Sequence, residues 1–116
     1  MAKFESLGEF EQTVLLAVAH VGAGAYGVTV RQEIERRTGR QISIGALYTA
    51  FDRLERKGYL RSKTSDPTPQ RGGRSKRHLS MTASGVSALQ RSRDLLDRMW
   101  AGLSAARLKP AKGGDA

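Results

Sequence analysis

The chain has 116 residues, of which 39% are hydrophobic and 27% are charged, so it can form one domain with one modest core. It has no cysteine and only two histidines, which excludes disulfides and thiolate metal sites and argues against a structural zinc site. No apolar run reaches the roughly 20 residues that span a bilayer, and the sequence does not start like a secretory signal. We therefore expect a cytoplasmic protein without a metal, a cofactor or a membrane partner.

The net charge of +9 is unevenly distributed. Residues 61–77 hold six basic residues and one acidic residue, a net charge of +5, whereas residues 1–25 hold one lysine and three glutamates, a net charge of −2. Such asymmetry favours a surface that binds a polyanion. Taken alone, the charge is also compatible with a basic surface that only keeps the protein soluble.

Two helices are predicted before residue 40. Apolar residues at helical spacing predict the first over residues 7–21, ended by Gly22 and Gly24. The stretch VTVRQEIERRTG predicts a second helix that ends at Gly39, with Thr29 at its N-cap or in its first turn.

The clearest helical pattern covers residues 43–58. Ser43 can cap this third helix and Gly58 can end it. Its predicted apolar stripe consists of Ile44, Leu47, Tyr48, Phe51 and Leu54. Two helices followed by a third with small polar residues at its start are typical of a helix-turn-helix, although any three-helix bundle shows similar stripes.

Two short alternating segments follow, YLRSKT at 59–64 and KRHLSM at 76–81, separated by a stretch with two prolines and two glycines. They predict a β-hairpin with a long basic loop. Three helices followed directly by a basic hairpin form a winged helix, in which the hairpin is the wing.

Thr82 is predicted to cap a last long helix. The predicted architecture is therefore α+β and mostly α, with a winged helix-turn-helix DNA-binding domain over residues 1–81, a long C-terminal helix over 82–108 and a disordered tail over 109–116.

Three stretches are more specific than this general pattern: LLAVAHVGAGAYGVTVRQEIERRTG, ISIGALYTAFDRLERKGYLRS and RGGRSKRHLSMTASG. Together they resemble the PadR family of bacterial winged-helix transcription regulators, and the resemblance covers about residues 7–90. GALYTAFDRLERKGYL and the arm from the double glycine to Thr82 are its most specific parts.

The resemblance implies a homodimer that binds a palindromic operator in double-stranded DNA and represses its own or neighbouring genes. It also implies the short branch of the family, which dimerises through a single C-terminal helix. Some members of that branch bind small flat aromatic effectors between the subunits with a tryptophan on this helix. Trp100 is the candidate here, although Leu96, one helical turn earlier, lies nearer the equivalent position. The candidate residues for a ligand or dimer interface are Leu89, Leu96, Met99, Trp100 and Leu103.

The third helix is expected to place its N-terminal end against base edges in the major groove, while the wing contacts phosphates. Thr49 can contact a base, and Arg53 can reach guanine or a phosphate. Ser43 is equally well interpreted as a plain N-cap, Arg53 as a solvated or ion-paired residue, and Tyr48 as a core ring with a hydroxyl that reaches a phosphate. The candidate DNA-binding residues are Ser43, Gly45, Ala46, Tyr48, Thr49 and Arg53 on the helix, and Arg71, Arg74, Lys76 and Arg77 on the wing.

An enzyme and a sequence-indifferent nucleic-acid-binding protein are the competing interpretations. QRGGRSK lacks the GxxxxGK[ST] spacing of a phosphate-binding loop, and neither histidine has an evident catalytic partner, so no catalytic residue is predicted. An architectural or RNA-binding protein of the second class would stack bases on aromatic rings, but only 6% of the residues are aromatic and most of these belong to the predicted core.

Overall fold

Four α-helices and a two-stranded antiparallel sheet form the described part of the chain, residues 6–64 and 76–112 of a computed structural model. In chain order they are α1 (Glu9–Val21), α2 (Gly27–Thr38), α3 (Ile44–Arg56), β1 (Leu60–Thr64), β2 (Arg77–Met81) and α4 (Ala83–Trp100). Short 3₁₀ turns follow α1 at Gly22–Gly24 and α4 at Ala105–Arg107.

The first two helices lie close to their predicted positions. α1 begins two residues later than expected, because the Glu11 carboxylate accepts a hydrogen bond from the backbone N–H of Gly8 and closes the first turn. Thr29 lies in the first turn of α2, where its Oγ1 accepts a hydrogen bond from the N–H of Tyr26 at 3.0 Å and donates one to the carbonyl of Gly24 at 2.7 Å. The alternative placement of Thr29 at the N-cap is therefore wrong, since Tyr26 holds that position.

α3 is capped as expected, since the Ser43 hydroxyl accepts a hydrogen bond from the N–H of Ala46 at 3.1 Å. The predicted apolar stripe of α3 is wrong in the N-terminal half of the helix. Leu47, Ala50, Phe51 and Leu54 are the buried residues of α3, whereas Ile44 and Tyr48 are exposed. Ile44 stands in the first turn, at the edge of the buried side, where the core does not cover it.

β1 and β2 form the predicted hairpin, with Ser62 opposite Leu79 and Thr64 opposite Arg77. The N–H of Leu79 also donates to the carbonyl of Ala25 at 2.9 Å, so the segment before α2 fixes the second edge of β2. This hairpin directly after α3 completes a winged helix-turn-helix, and the predicted fold is confirmed. Residues 65–75, predicted to form a long basic loop, lie outside the described residues, and so do Arg71 and Arg74 within them.

α4 packs closely on the corner between α3 and β1. A Cβ atom on Gly85 would lie only 2.3 Å from the backbone oxygen of Tyr59, so a glycine is needed at this crossing. Thr82 fixes the start of α4, because its hydroxyl donates to the carbonyl of Gly58 and accepts from the N–H of Gly85. The direction of α4 is thereby set by the winged domain.

The predicted extension of the last helix to residue 108 is wrong, because α4 ends at Trp100. Ala101 is extended, and Gly102 adopts a φ of 83°, a left-handed conformation that ends the helix. Leu103 therefore lies beyond the helix that was expected to carry it. Residues 109–112 form no helix or strand, and residues 113–116 of the predicted tail lie outside the described part. No helix in the described ranges has both the length and the apolar character that a bilayer crossing requires.

Candidate nucleic-acid interface

α3 presents one side to solvent, opposite its buried residues. Gly45, Thr49, Asp52 and Arg56 share the centre of that side, because residues four and seven positions apart lie on one face of a helix. Ala46 and Arg53, which were also predicted, are exposed on its edge towards α1. The sequence interpretation omitted Arg56, although its spacing of seven residues from Thr49 was the signal that could have found it.

On the α1 side, Lys57 ties the end of α3 to the start of α1. Its Nζ donates to both carboxylate oxygens of Glu11, at 2.9 and 3.0 Å, and to the carbonyl of Ser6 at 3.0 Å. Burial acts to raise the pKa of Glu11, but the hydrogen bonds from Lys57 and Gly8 and the positive charges of Lys57 and Arg53 outweigh it, and the pKa lies below its ordinary value. Glu11 is therefore held as a carboxylate.

An open groove of about 430 Å³ lies along this side of α3. Ala46, Thr49 and Arg53 line its α3 wall, and the first turn of α1 lines the other. Three predicted DNA-binding residues are thus brought together on one accessible surface.

On the opposite side, Arg77 joins β2 to α3. Its Nη2 lies 3.1 Å from Oδ1 of Asp52 and also donates to Oε1 of Glu55. The same Glu55 oxygen accepts from the Ser62 hydroxyl at 2.8 Å, so both strands of the wing are bound to the helix. The hydrogen bond from Arg77 is the main reason that the pKa of Glu55 lies below its ordinary value. The structure thus places Arg77, predicted to contact phosphates, in a brace between the wing and α3.

Lys76 lies directly before β2, at the end of the hairpin opposite its connections to α3 and α4. Its Nζ is 4.2 Å from the centroid of the Tyr26 ring, a cation–π contact, and the edge of the same ring meets His78 at a centroid distance of 6.1 Å. Tyr26 is half-buried. Its ring therefore supports the start of β2, and Lys76 stays close to the start of α2.

Tyr48 was interpreted as a ring of the core with a hydroxyl that reaches a phosphate. Its ring meets Phe51 edge to face at 5.3 Å, and its hydroxyl lies at the first turn of α2. A Cβ atom on Gly27 would lie 2.6 Å from that hydroxyl, so only glycine lets the ring lie against α2. The ring is thus held by protein contacts while part of it remains exposed.

α4 carries a row of apolar side chains that the described part of the chain leaves uncovered. Leu96, Met99 and Trp100 of the predicted interface set are exposed, and Leu89 packs partly against the core. A groove of about 420 Å³ separates α4 from α1, lined by Gln12, Leu16, Val86, Leu89, Gln90, Arg93 and Leu96. Leu16, which lines this groove, and Leu95, which lies next to Leu96 on α4, are also exposed and were missing from the predicted set.

A helix-turn-helix with an exposed recognition helix and a basic hairpin braced against it defines the class of winged-helix DNA-binding proteins. The sequence profile of the transcriptional regulator PadR-like family matches residues 15–91, from α1 to the middle of α4. The chain therefore belongs to the PadR-like family of transcriptional regulators.

Solved structures share this fold at low sequence identity. A PadR-like transcription factor from Bacteroides fragilis is 18% identical with a TM-score of 0.65, and the match covers 78% of this chain and 82% of that one. F93 from STIV, a winged-helix DNA-binding protein, is 19% identical with a TM-score of 0.64, over 84% and 98% of the two chains. A transcriptional regulator from Clostridium thermocellum is 23% identical with a TM-score of 0.63, over 77% and 84%. A search of the curated proteins finds no match.

Proposed function

We propose that this DNA-binding regulator acts as a homodimeric repressor that binds a palindromic operator near its own gene. The observation that carries the proposal is the exposed side of α3, which is held between α1 and the wing by ion pairs on both flanks. A recognition helix must be held in this way, because its N-terminal half has to enter the major groove in a fixed orientation.

Bases are read by α3 in this proposal. Thr49 lies at the centre of the exposed side and can donate to a base edge or contact a thymine methyl, and Arg53 can reach guanine O6 and N7 or a phosphate. Gly45 and Ala46 let the helix approach the groove closely because their side chains are small. Ser43 serves as the N-cap, since its hydroxyl is already bonded to the backbone.

Phosphates are contacted mainly by the wing. Lys76, directly before β2, carries this role, together with Arg71 and Arg74, which remain predicted contacts outside the described residues. Arg77 contributes indirectly, because it neutralises Asp52 and Glu55 next to the DNA-facing side of α3.

Dimerisation is assigned to α4. Its exposed Leu95, Leu96, Met99 and Trp100 form an apolar surface whose burial against a second copy would be favourable. A two-fold dimer presents two copies of α3, which is why its operator would be palindromic. Changing Leu96 to Glu is expected to convert the dimer to a monomer in sedimentation equilibrium, whereas an unchanged mass would exclude this interface.

An aromatic effector would bind between the α4 helices, against Leu96, Met99 and Trp100. Such a molecule would relieve repression only if it bound the two dimer states with different affinity. A titration of aromatic compounds that changes neither Trp100 fluorescence nor DNA affinity would remove this part of the proposal.

The test of the main proposal is selection of duplexes from a random pool at fixed salt. Enrichment of a sequence with dyad symmetry is expected, followed by a footprint with the same symmetry. Equal affinity for all duplexes would instead support a sequence-indifferent architectural protein, the alternative interpretation of the basic charge.

A further inference from the structure

The exposed side of α3 is apolar at its N-terminal end. Ile44, the first residue of α3, is 43% exposed, and Val28, the second residue of α2, is 51% exposed. Tyr48 lies four residues after Ile44 on the same side of α3, and its hydroxyl is held against Gly27, the neighbour of Val28. Val28, Ile44 and Tyr48 are thus three exposed apolar side chains at the end of α3 that meets the start of α2, and they are called the apolar patch below.

Two polar side chains beside this patch, those of Ser43 and Thr29, are already bonded to the backbone. The Ser43 hydroxyl accepts from the N–H of Ala46, and the Thr29 hydroxyl is bonded to Tyr26 and Gly24. Gly45 and Ala46 offer no polar side-chain atom. The first turn of α3 therefore presents aliphatic groups, and hydrogen-bonding readout by the exposed side of α3 starts one turn later, at Thr49.

The surroundings of the patch identify its partner as DNA. Arg53 and Arg56 are exposed further along α3, and Lys76, directly before β2, lies beside Tyr26 at the start of α2. Basic residues on both sides of an apolar patch suit a groove between two phosphate backbones better than the apolar surface of another protein. In the major groove the thymine C5-methyl is the apolar group that a base edge presents.

Building on the function proposed above, we propose that Ile44 and Val28 read thymine C5-methyl groups, and that each operator half-site therefore has thymine where the first turn of α3 meets the groove. Ile44 is the main specificity-determining residue, because it opens the recognition helix, and Val28 extends the same surface from α2. Thr49 and Arg53 read the positions beyond it through hydrogen bonds.

The test replaces thymine by deoxyuridine, which removes the methyl group and leaves the base pair unchanged. Starting from the selected duplex, each thymine is replaced in turn in both half-sites, and the dissociation constant is measured at fixed salt. At least one position per half-site is expected to lose affinity by about fourfold per methyl group, the effect of leaving one such group unburied.

The variant Ile44→Ala assigns the contact. It should bind the thymine duplex about as weakly as the wild type binds the uridine duplex, and replacement by uridine should no longer weaken it further. Leu108→Ala is the matched control, because Leu108 is a similarly exposed aliphatic residue outside α2 and α3. This control should keep the full uridine penalty.

The outcomes are distinct. If the protein prefers certain sequences but uridine weakens binding at no position, this inference is wrong and the proposed regulator function stands. If the protein shows no sequence preference, both this inference and the proposed function are wrong. A uridine penalty that persists unchanged in Ile44→Ala and Val28→Ala overturns the assignment to these residues. If circular dichroism shows that Ile44→Ala does not fold, the uridine scan of the wild type still tests whether methyl groups are read. The Val28→Ala variant then tests whether the apolar patch reads them.

Discussion

Two ion-pair clusters hold α3, one on each side, and they differ in how far their side chains are exposed to solvent. The side chains of Lys57 and Glu11, which join α3 to α1, are 21% and 10% exposed. Those of Arg77, Glu55 and Asp52, which join α3 to the wing, are 25%, 32% and 64% exposed. The first cluster is largely removed from water, and the second remains open to it.

This difference in exposure separates their roles. Removing one partner of a shielded pair leaves a charge with little water to solvate it, which is strongly unfavourable. An exposed pair contributes little to stability but still determines the charge that an approaching polyanion meets. The α1 cluster therefore fixes α3 on the domain, and the wing cluster adjusts the electrostatics of the DNA-binding surface.

The largest effect is expected for Lys57→Met. The Glu11 carboxylate would keep its bond to the N–H of Gly8 but lose both hydrogen bonds from the ammonium group, and we expect a loss of about 2 kcal/mol in the free energy of unfolding. Urea denaturation at fixed protein concentration measures it. Arg36→Met is the control, since Arg36 is an exposed partner of Glu33 and should change stability by less than about 0.5 kcal/mol. Equal effects of the two variants on the free energy of unfolding would contradict the distinction between a shielded and an exposed ion pair.

A smaller stability loss, about 1 kcal/mol, is expected for Arg77→Gln. Its main effect should be on DNA, because Asp52 and Glu55 would regain unpaired negative charge beside the groove, and we expect about fivefold weaker binding to every duplex. Adding Asp52→Asn should restore part of that affinity. If the two changes are simply additive, Arg77 acts as a direct phosphate contact and the brace is not its role in binding.

The wing and the helix should differ in what they contribute to binding. Lys76→Ala is expected to weaken binding to all duplexes and to reduce the slope of log K against log salt by about 1.8 per dimer, for one phosphate contact per subunit. Thr49→Ala and Arg53→Ala should change the preference among sequences instead. Salt titrations with the selected and a scrambled duplex distinguish these outcomes, and a reversed pattern would overturn the division between wing and helix.

Much of the fold follows from local sequence signals. Caps such as Ser43 and Thr82, and the apolar periodicity of α1 and α3, are short-range features, so their elements could be predicted. Leu103 was misplaced because the end of α4 depends on the backbone conformation of Gly102, which an apolar stripe does not encode.

The site was harder to predict because its properties depend on contacts distant in sequence. The brace from Arg77 to Asp52 spans 25 residues, and a basic residue in a basic segment gives no sign of it. Ile44 matched the buried stripe by spacing, yet burial depends on which element covers the first turn of α3. Family resemblance gave the class of protein, and the tertiary contacts divided its charged residues between structure and binding.

The smallest expected effect is a change in the pH dependence of stability at the α1 cluster. Since the pKa of Glu11 lies below its ordinary value of 4.5 in the folded protein, its ionised form favours folding above that value, and the contribution is lost as the pH falls through the folded pKa. Wild-type stability should therefore decline as the solution becomes more acidic than about pH 5. The stability of Glu11→Gln should decline less steeply with falling pH. The difference in the free energy of unfolding should be only a fraction of the loss expected for Lys57→Met.

Urea denaturation at a series of pH values measures this decline. In Lys57→Met the acid loss should be smaller than in the wild type, because Glu11 keeps its burial but loses the ammonium partner that lowers its pKa, and the folded pKa moves back towards the unfolded one. Combining the two substitutions should remove that difference. Parallel acid profiles for the wild type, Glu11→Gln and Lys57→Met would mean that the pair is solvated as fully as the wing cluster, and the contrast between the two sides of α3 would not hold.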